Sequence, residues 1–254
     1  MSVLGERYNE RFFGDVNKNL GRALDKTGIL LLPNFVSLSA LKQLQQEATL
    51  LKANAYRSSS IYNVYVLPDD EQMASNAPRN QKFETTKGCV PDDQIPNNSV
   101  LRIIYGAGLF REFICALQGL REIFPYVDKL SSININYYNP ADSLAWHFDN
   151  ADFAVTLLVK NCEKGGAYEY VPNMRYDENG KENYELLGKV LDGTVQPKRA
   201  NMGEGDLMIF RGNRSLHRVA KIEKGERILV TLNYNVKPDI ALSKKSRMTF
   251  FGRI

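Results

Sequence analysis

The stretch of sequence that decides the fold reads Trp146-His147-Phe148-Asp149. The chain has only two histidines, His147 and His217, and the first stands two residues before a carboxylate. In a β-strand, residues i and i+2 point to the same side, so His147 and Asp149 would face the same ligand. Two histidines and one carboxylate form the facial triad that holds non-haem Fe(II) with coordination positions left open. A lone histidine is more often an ordinary core or surface residue, but here both histidines fall in the pattern, which favours metal binding with His217 as the third ligand.

The overall composition is that of a globular protein. A chain of 254 residues, with 43% hydrophobic and 24% charged residues, can bury a large core. The net charge of +4 is mild and does not indicate a nucleic-acid partner. No apolar run approaches the roughly 20 residues that span a bilayer, and the N-terminus lacks the apolar core of a signal peptide. The three cysteines have no paired spacing, which predicts free thiols in a reducing compartment and a cytoplasmic location without a membrane partner.

The hydrophobic pattern predicts a mainly β protein with flanking α-helices. Apolar residues at helical spacing predict one helix over about residues 7–26, a second that begins after Ser37 as its candidate cap, and a third over 106–120. Short segments with alternating or β-branched residues follow, and they predict an all-β sandwich or barrel with the N-terminal helices packed outside it. The predicted strands of this part are 133–138, 144–149, 153–160, 207–210 and 227–236.

Residues 68–98 are polar, rich in Pro, Asn and Asp, and show no periodicity. A loop of this length inside a compact domain is usually a lid, a binding loop or a disordered segment, and we interpret it as a substrate-facing lid. Within it, Arg79 in Pro78-Arg79-Asn80 could clamp a substrate carboxylate. A solvated loop arginine explains the same residue equally well.

The order of His147, Asp149, His217 and Arg227 resembles that of the Fe(II)/2-oxoglutarate-dependent oxygenases, and the resemblance covers about the last half of the chain. It implies one domain over residues 1–254, with a double-stranded β-helix (jelly-roll) core over 131–240 and a helical N-terminal part over 1–130. It also implies Fe(II), 2-oxoglutarate as cosubstrate, O₂, and ascorbate as a reductant.

The resemblance assigns a role to Arg227, because an arginine about ten residues after the distal histidine binds the C5 carboxylate of 2-oxoglutarate in this family. A guanidinium suits that role, since it stays charged and binds a carboxylate through two hydrogen bonds. Thr231 and Asn233 share the strand face of Arg227 and could add hydrogen bonds there. Tyr138 matches a family position where a tyrosine often reaches the cosubstrate, although core packing explains it equally well.

Several stretches are similar to the group of free amino acid hydroxylases and halogenases, namely Pro78-Arg79, 98–102, 146–149, 153–158 and 165–172. By that similarity, Arg79 would bind the α-carboxylate of the substrate, and Asn150 or Asn233 would orient its amino group or side chain. Halogenases of the superfamily replace the metal-binding carboxylate with a small residue such as glycine. Because Asp149 is present here, hydroxylation, or a related desaturation or cyclisation, is favoured.

We therefore expect an oxygenase that hydroxylates an unactivated carbon of a small free amino acid or a similar small metabolite. The alternatives are a protein hydroxylase of the prolyl type and a desaturating or cyclising oxygenase of natural-product biosynthesis. A nucleic-acid demethylase is disfavoured, because that group carries a second arginine where Asn233 stands. A metal-free β-barrel binding module would require both histidines to be incidental. A homodimer is compatible with the sequence, which leaves the oligomeric state open.

Overall fold

The computed structural model describes residues 2–14 and 18–254, and it contains seven helices and thirteen strands in those ranges. The helices are α1 (Glu10–Gly14), α2 (Lys18–Thr27), α3 (Leu38–Leu51), α4 (Val100–Gly106), α5 (Gly108–Gln118), α6 (Tyr184–Leu191) and α7 (Lys244–Phe251). The strands are β1 (Ile29–Leu32), β2 (Tyr56–Asn63), β3 (Lys82–Val90), β4 (Ile133–Tyr138), β5 (Leu144–His147), β6 (Ala154–Lys160), β7 (Lys164–Gly165), β8 (Tyr168–Val171), β9 (Lys198–Ala200), β10 (Leu207–Phe210), β11 (Leu216–Val219), β12 (Ile222–Lys224) and β13 (Arg227–Leu232).

The strands form a jelly-roll core, as the sequence predicts. A seven-stranded sheet has the order β1-β10-β6-β13-β4-β3-β2, and a four-stranded sheet has the order β5-β11-β8-β9. The strand pairs are antiparallel, and β12 and β7 form a small third sheet. Residues of both larger sheets line one cavity between them.

The two faces of the large sheet differ in chemistry. On β4, Ile133, Ile135 and Tyr137 belong to the main hydrophobic core, whereas Asn134, Asn136 and Tyr138 line the cavity. Strand β13 repeats this alternation, because successive side chains of a strand point to opposite faces. One face of the sheet therefore builds the core, and the other presents polar groups to the cavity.

The N-terminal helices cover the core face of the large sheet. Apolar residues of α3, α4 and α5 share one buried cluster with the core face of the sheet. Helix α3 begins at its predicted cap, since the Ser37 hydroxyl accepts a hydrogen bond from the backbone N–H of Ala40 at 3.3 Å. The prediction of helices packed outside a β core is confirmed. In the first predicted helix, Val16 lies outside the described residues, and α1 and α2 flank that gap.

The prediction of one long loop over residues 68–98 was wrong. Strand β3 lies within it and pairs with β2 and β4 in the large sheet, so the irregular part before it ends at residue 81. The part over 1–130 is consequently not only helical, since β1, β2 and β3 come from it. The pattern was missed because the inward residues of β3 include Thr85 and Lys87, which line the cavity and do not belong to the apolar core.

Across residues 2–14 and 18–254, none of the helices combines the length and the apolar character that crossing a bilayer requires.

Candidate metal centre and its cavity

The two histidines meet across a pair of antiparallel strands. His147 ends β5 and lies directly opposite His217 on β11, with ring centroids 4.2 Å apart. Asp149 follows β5 and places its Oδ1 atom 3.4 Å from Nε2 of His147 and 3.6 Å from Nε2 of His217. The three potential ligand atoms all lie within 4.8 Å of one another. Residues seventy positions apart in the chain thus converge on one point.

Backbone carbonyls orient both imidazole rings. Nδ1 of His147 lies 2.8 Å from the carbonyl oxygen of Ala145, and Nδ1 of His217 lies 2.9 Å from that of Ser215. Since a carbonyl can only accept, each Nδ1 carries the proton and each Nε2 keeps its lone pair. Both lone pairs face the carboxylate of Asp149, so the three groups present donor atoms to one position.

A buried carboxylate outside the cavity holds the register of the strand that carries His217. Glu169 on β8 accepts hydrogen bonds from Arg218 at 2.7 Å and from Arg199 on β9 at 2.9 Å. Arg218 also lies over the ring of Trp146 on β5, at 4.4 Å from its centroid. These contacts connect the four strands of the smaller sheet directly behind the two histidines.

The protonation states suit metal binding. Burial lowers the pKa of His147 and the neighbouring His217 lowers it further, although Asp149 opposes both effects. Burial alone would raise the pKa of Asp149, but the two histidines outweigh it and hold the pKa far below its ordinary value. A neutral imidazole beside an ionised carboxylate is the state that a divalent metal requires.

Gly212 makes room for the carboxylate. Its carbonyl accepts a hydrogen bond from the backbone N–H of Asp149 at 3.0 Å. A Cβ atom at position 212 would lie 1.8 Å from Oδ2 of Asp149 and 2.6 Å from its Cγ. No side chain can therefore occupy this position while Asp149 keeps its place. The sequence analysis did not identify Gly212, because nothing local distinguishes it from a turn glycine.

The donor set fits a metal ion. Two ligands bound about 2.1 Å from an ion and at right angles to each other lie about 3 Å apart. The separations of 3.4 and 3.6 Å between the carboxylate and the imidazoles need only a small contraction to reach this value. His217 is supported by the rings of Phe210 and Tyr168, with centroid distances of 5.0 and 5.7 Å. Ligation of iron by His147, Asp149 and His217 stays a prediction, and the geometry is compatible with it.

The three groups border a cavity of about 300 Å³ between the two sheets. Most of its lining surface is apolar, and hydroxyl and amide groups are contributed by Ser58, Ser60, Tyr62, Thr85, Asn134, Asn136, Thr231 and Asn233. The charged residues in the wall are Lys87, Asp149 and Arg227. A cavity of this size suits a small molecule.

Arg227 is a buried cation in this cavity and lies opposite Tyr138 across β13 and β4. Its Nη1 donates a hydrogen bond to Oδ1 of Asn161 at 3.0 Å, while its buried Nε has no partner in the described part of the chain. Burial lowers the pKa of Arg227 and raises that of Tyr138. A buried guanidinium with spare donors fits a bound carboxylate, as the sequence predicts for 2-oxoglutarate.

The structure brings most of the remaining predicted residues to the cavity. Thr231, Asn150 and Asn233 all line it. The amide nitrogen of Asn233 already donates to the carbonyl of Ser131 at 2.7 Å and to Oδ1 of Asn134 at 3.1 Å. Asn233 can therefore offer a ligand its carbonyl oxygen more readily than its NH₂ group.

Arg79 does not reach the cavity wall, contrary to its predicted role as a substrate clamp. Its guanidinium lies over the ring of Tyr65, 4.7 Å from the centroid, and donates to the carbonyl of Pro68 at 3.2 Å. The adjacent Asn80 donates to carbonyls at Asp70 and further along the loop, so the loop folds onto itself. Arg79 is consequently buried in a layer outside the cavity, where it packs against an aromatic ring.

One family model and several solved structures are similar to this chain. A sequence model described as "Halogenase D" matches residues 14–250. The fold is similar to that of a 2OG-Fe(II) oxygenase family oxidoreductase from Burkholderia pseudomallei, at 15% identity and a TM-score of 0.53, covering 94% of this chain and 98% of that one. It is also similar to the carbocyclase SnoK from nogalamycin biosynthesis, which is non-haem and α-ketoglutarate dependent, at 13% identity and a TM-score of 0.58, covering 87% and 85%.

Two further matches have narrower meaning. A prolyl-4-hydroxylase from Pseudomonas putida shares the fold at 13% identity and a TM-score of 0.52, covering 84% of this chain and 95% of that one. The human BLOC-2 complex member HPS5 is 25% identical over 168 residues, which are 63% of this chain but only 14% of that protein. The chain thus spans about a seventh of that relative's length.

The family match extends over nearly the whole described chain, and the jelly-roll fold agrees with it. The chain belongs to the halogenase D family, and its fold is that of the 2OG-Fe(II) oxygenases.

Proposed function

We propose that this enzyme hydroxylates an unactivated carbon of a small free amino acid or a similar small metabolite, with Fe(II) and 2-oxoglutarate. The observation that carries the proposal is a complete His-Asp-His donor set beside a buried arginine in a cavity of small-molecule size. His147, Asp149 and His217 would hold the metal. A bound Fe(II) with these three ligands would supply open positions for the cosubstrate and O₂.

The carboxylate of Asp149 favours hydroxylation over halogenation. Membership of the halogenase D family alone would suggest a halide site in place of a protein carboxylate. In this chain the carboxylate is present, its pKa is depressed, and the absence of a side chain at Gly212 gives it a fitted place. The site is therefore arranged to keep a protein ligand in the position that a halide would need.

Arg227 would bind the distal carboxylate of 2-oxoglutarate. The guanidinium of Arg227 lines the cavity and would donate to this carboxylate, and burial strengthens an ionic hydrogen bond. Tyr138 and Thr231 lie on the same cavity face and would complete the pocket with their hydroxyl groups. Asn150 and Asn233, which also line the cavity, would orient the substrate.

A prolyl-type hydroxylase and a cyclising oxygenase remain the alternative functions. The likeness to a prolyl-4-hydroxylase and to the carbocyclase SnoK supports each of them at the level of fold. The cavity volume of about 300 Å³ favours a small substrate over an extended peptide. Use of ascorbate as a reductant, a cytoplasmic location and a homodimer are part of this proposal.

The test is the formation of succinate from 2-oxoglutarate, in the presence of Fe(II) and ascorbate, across a panel of free amino acids. One or a few compounds should stimulate turnover, and mass spectrometry should find a gain of one oxygen atom in the stimulating compound. Asp149→Ala should abolish this turnover, whereas Glu178→Ala, which removes an exposed carboxylate, should not.

Other outcomes would redirect or refute the proposal. Loss of two hydrogens from the compound would indicate desaturation or cyclisation. Stimulation by proline-containing peptides alone would favour the protein hydroxylase. If the wild-type protein binds neither Fe(II) nor 2-oxoglutarate, the proposed function is wrong.

A further inference from the structure

Lys87 is a cation inside the cavity for which the catalytic scheme above has no use. It lies on β3 between Thr85 and Cys89, the other two residues of this strand that line the cavity. Its Nζ donates a hydrogen bond to Oδ1 of Asn136 at 2.7 Å and lies 5.7 Å from the ring centroid of Phe250. Among the residues that the structure describes, no carboxylate forms a salt bridge with it.

The charges of the cavity wall are unbalanced. Its charged residues are Lys87, Asp149 and Arg227, and the single carboxylate faces the two histidines. With a divalent metal on the triad and dianionic 2-oxoglutarate on the metal and Arg227, one positive charge remains uncompensated. That charge is on Lys87, so the cavity is complementary to a substrate with an anionic group.

The position of Lys87 separates it from the arginine. The register of β3, β4 and β13 puts two strand spacings, about 10 Å, between the backbones of Lys87 and Arg227. The hydrogen bond to Asn136 draws the ammonium group away from the Tyr138 end of β4, where Arg227 lies. The two cations are thus suited to two different anions on either side of Tyr138.

Burial adds a second argument. Desolvation lowers the pKa of Lys87, and the electrostatic influence of Cys89 and Asp149 offsets this effect in part. A partly buried ammonium group with one neutral acceptor and one aromatic neighbour gains more from an anionic ligand than from water.

We propose that Lys87, oriented by Asn136, is a substrate-binding residue that holds a carboxylate of the substrate, so that the enzyme selects small carboxylic acids and rejects compounds with a cationic side chain. This inference rests on the proposed function and assigns its substrate class. It replaces Arg79, which lies outside the cavity, as the anchor of the substrate carboxylate. A cationic side chain would find no carboxylate in the wall beyond the one that faces the histidines.

The experiment measures succinate formation with saturating 2-oxoglutarate over a panel of acidic, neutral and basic amino acids, aliphatic mono- and dicarboxylates, and the amines that lack each carboxylate. The variants are Lys87→Met, which keeps the apolar stem, and Lys87→Arg, which keeps the charge. Lys181→Met removes a charge from an exposed lysine and serves as the control. The Kd for 2-oxoglutarate is measured separately, by anaerobic titration of the Fe(II) protein.

We expect acidic or neutral carboxylates to stimulate turnover, and the matched amines and basic amino acids not to. Lys87→Met should raise the KM for the stimulating carboxylate by about 30-fold or more, since a buried ion pair loses one partner. Lys87→Arg should recover most of that loss. The Kd for 2-oxoglutarate should change by less than about threefold in both variants, and Lys181→Met should match the wild type.

Three results would overturn the inference. The first is a Kd for 2-oxoglutarate that rises as much as the KM in Lys87→Met, which would assign Lys87 to the cosubstrate. The second is an unchanged KM, and the third is preferential stimulation by basic amino acids or by no carboxylate of the panel. Failure of the proposed function is distinguishable, because then the wild-type protein would form no complex with Fe(II) and 2-oxoglutarate before any substrate is added.

Discussion

Replacing Gly212 by alanine is expected to displace the predicted metal ligand Asp149, although Asp149 itself is not mutated. The added Cβ atom would lie 1.8 Å from Oδ2 of Asp149, whereas an ordinary contact begins at 3.4 Å. The carboxylate oxygen must therefore move by about 1.6 Å, or the backbone of Gly212 must give way. The hydrogen bond from the Asp149 N–H to the Gly212 carbonyl, at 3.0 Å, opposes separation of the two backbones.

This displacement is large on the scale of metal coordination. Ligand distances in metal sites agree with ideal values to about 0.2 Å, so a carboxylate displaced by about 1.6 Å no longer coordinates. Loss of an outer partner of a ligand already weakens metal binding by 10- to 100-fold. We expect Gly212→Ala to raise the Kd for the metal by at least about 100-fold, which is about 2.7 kcal/mol.

The assay is a titration of the metal-free protein with Co(II), followed by visible absorption, together with thermal unfolding of the metal-free forms. Gly108→Ala is the matched control, because a Cβ atom there would meet nothing within 4 Å. It should bind Co(II) as the wild type does. Gly212→Ala should remain folded while it loses affinity, because the carboxylate can rotate away and Cβ of Asp149, 2.9 Å from the new atom, needs only a small backbone shift.

A double-mutant cycle with Asp149→Gly separates the clash from a general effect on the backbone. Once the carboxylate is absent, Gly212→Ala should weaken metal binding by less than about threefold, because nothing is left to displace. Wild-type affinity in the single Gly212→Ala variant would refute the reasoning. So would equal losses from Gly212→Ala in the presence and absence of the Asp149 side chain.

Two further predictions concern charge. Arg227→Met should raise the Kd for 2-oxoglutarate by at least about 30-fold, which isothermal titration would measure. The unfolding free energy of the ligand-free protein, measured in urea, should stay unchanged or rise, because a buried Nε without a partner is removed. An unchanged Kd would contradict the prediction. Asp142→Asn should lower the unfolding free energy by about 2 kcal/mol at pH 7, since it breaks the paired hydrogen bonds from Arg57, at 2.8 and 2.6 Å. Burial alone would raise the pKa of Asp142, but Arg57 and the backbone N–H of Asn139 lower it below its ordinary value. The stabilisation is therefore present above the unfolded-state pKa of about 3.9 and is lost as the pH falls through the lower folded-state value. The difference in unfolding free energy between Asp142→Asn and the wild type should consequently shrink below about pH 4. A difference that does not vary with pH would contradict this prediction.

Each of the strands that were predicted correctly has one face that packs on the apolar core. Strand β4 was predicted to the residue, and the strand that begins at Arg227 was recognised by its β-branched run. Strand β3 was missed because both of its faces carry polar residues, with Thr85 and Lys87 on the cavity side and Glu84 and Thr86 on the other. An interior that holds polar ligands reverses the usual alternation, so Thr85 and Lys87 point inward and yet read as residues of a solvated loop.

The sequence by itself determined the donor set. Two histidines, a carboxylate two residues after the first, and an arginine ten residues after the second carry the chemistry in their order and spacing. Strand periodicity predicts His147 and Asp149 on one side, and the two do converge, although β5 ends at His147 and Asp149 lies just beyond the strand. This pattern sufficed to indicate the superfamily and the β fold.

Only the tertiary structure decided what surrounds the donor set. Gly212 lies against Asp149, Arg79 packs on Tyr65 outside the cavity, and Lys87 lines the cavity. These contacts all depend on strands and loops that pack from distant parts of the chain. A spacing in sequence cannot report such contacts, because side-chain packing and buried charge are properties of the assembled sheets. The predicted metal ligands thus follow from the order of a few residues, whereas the charges that surround them follow from the fold.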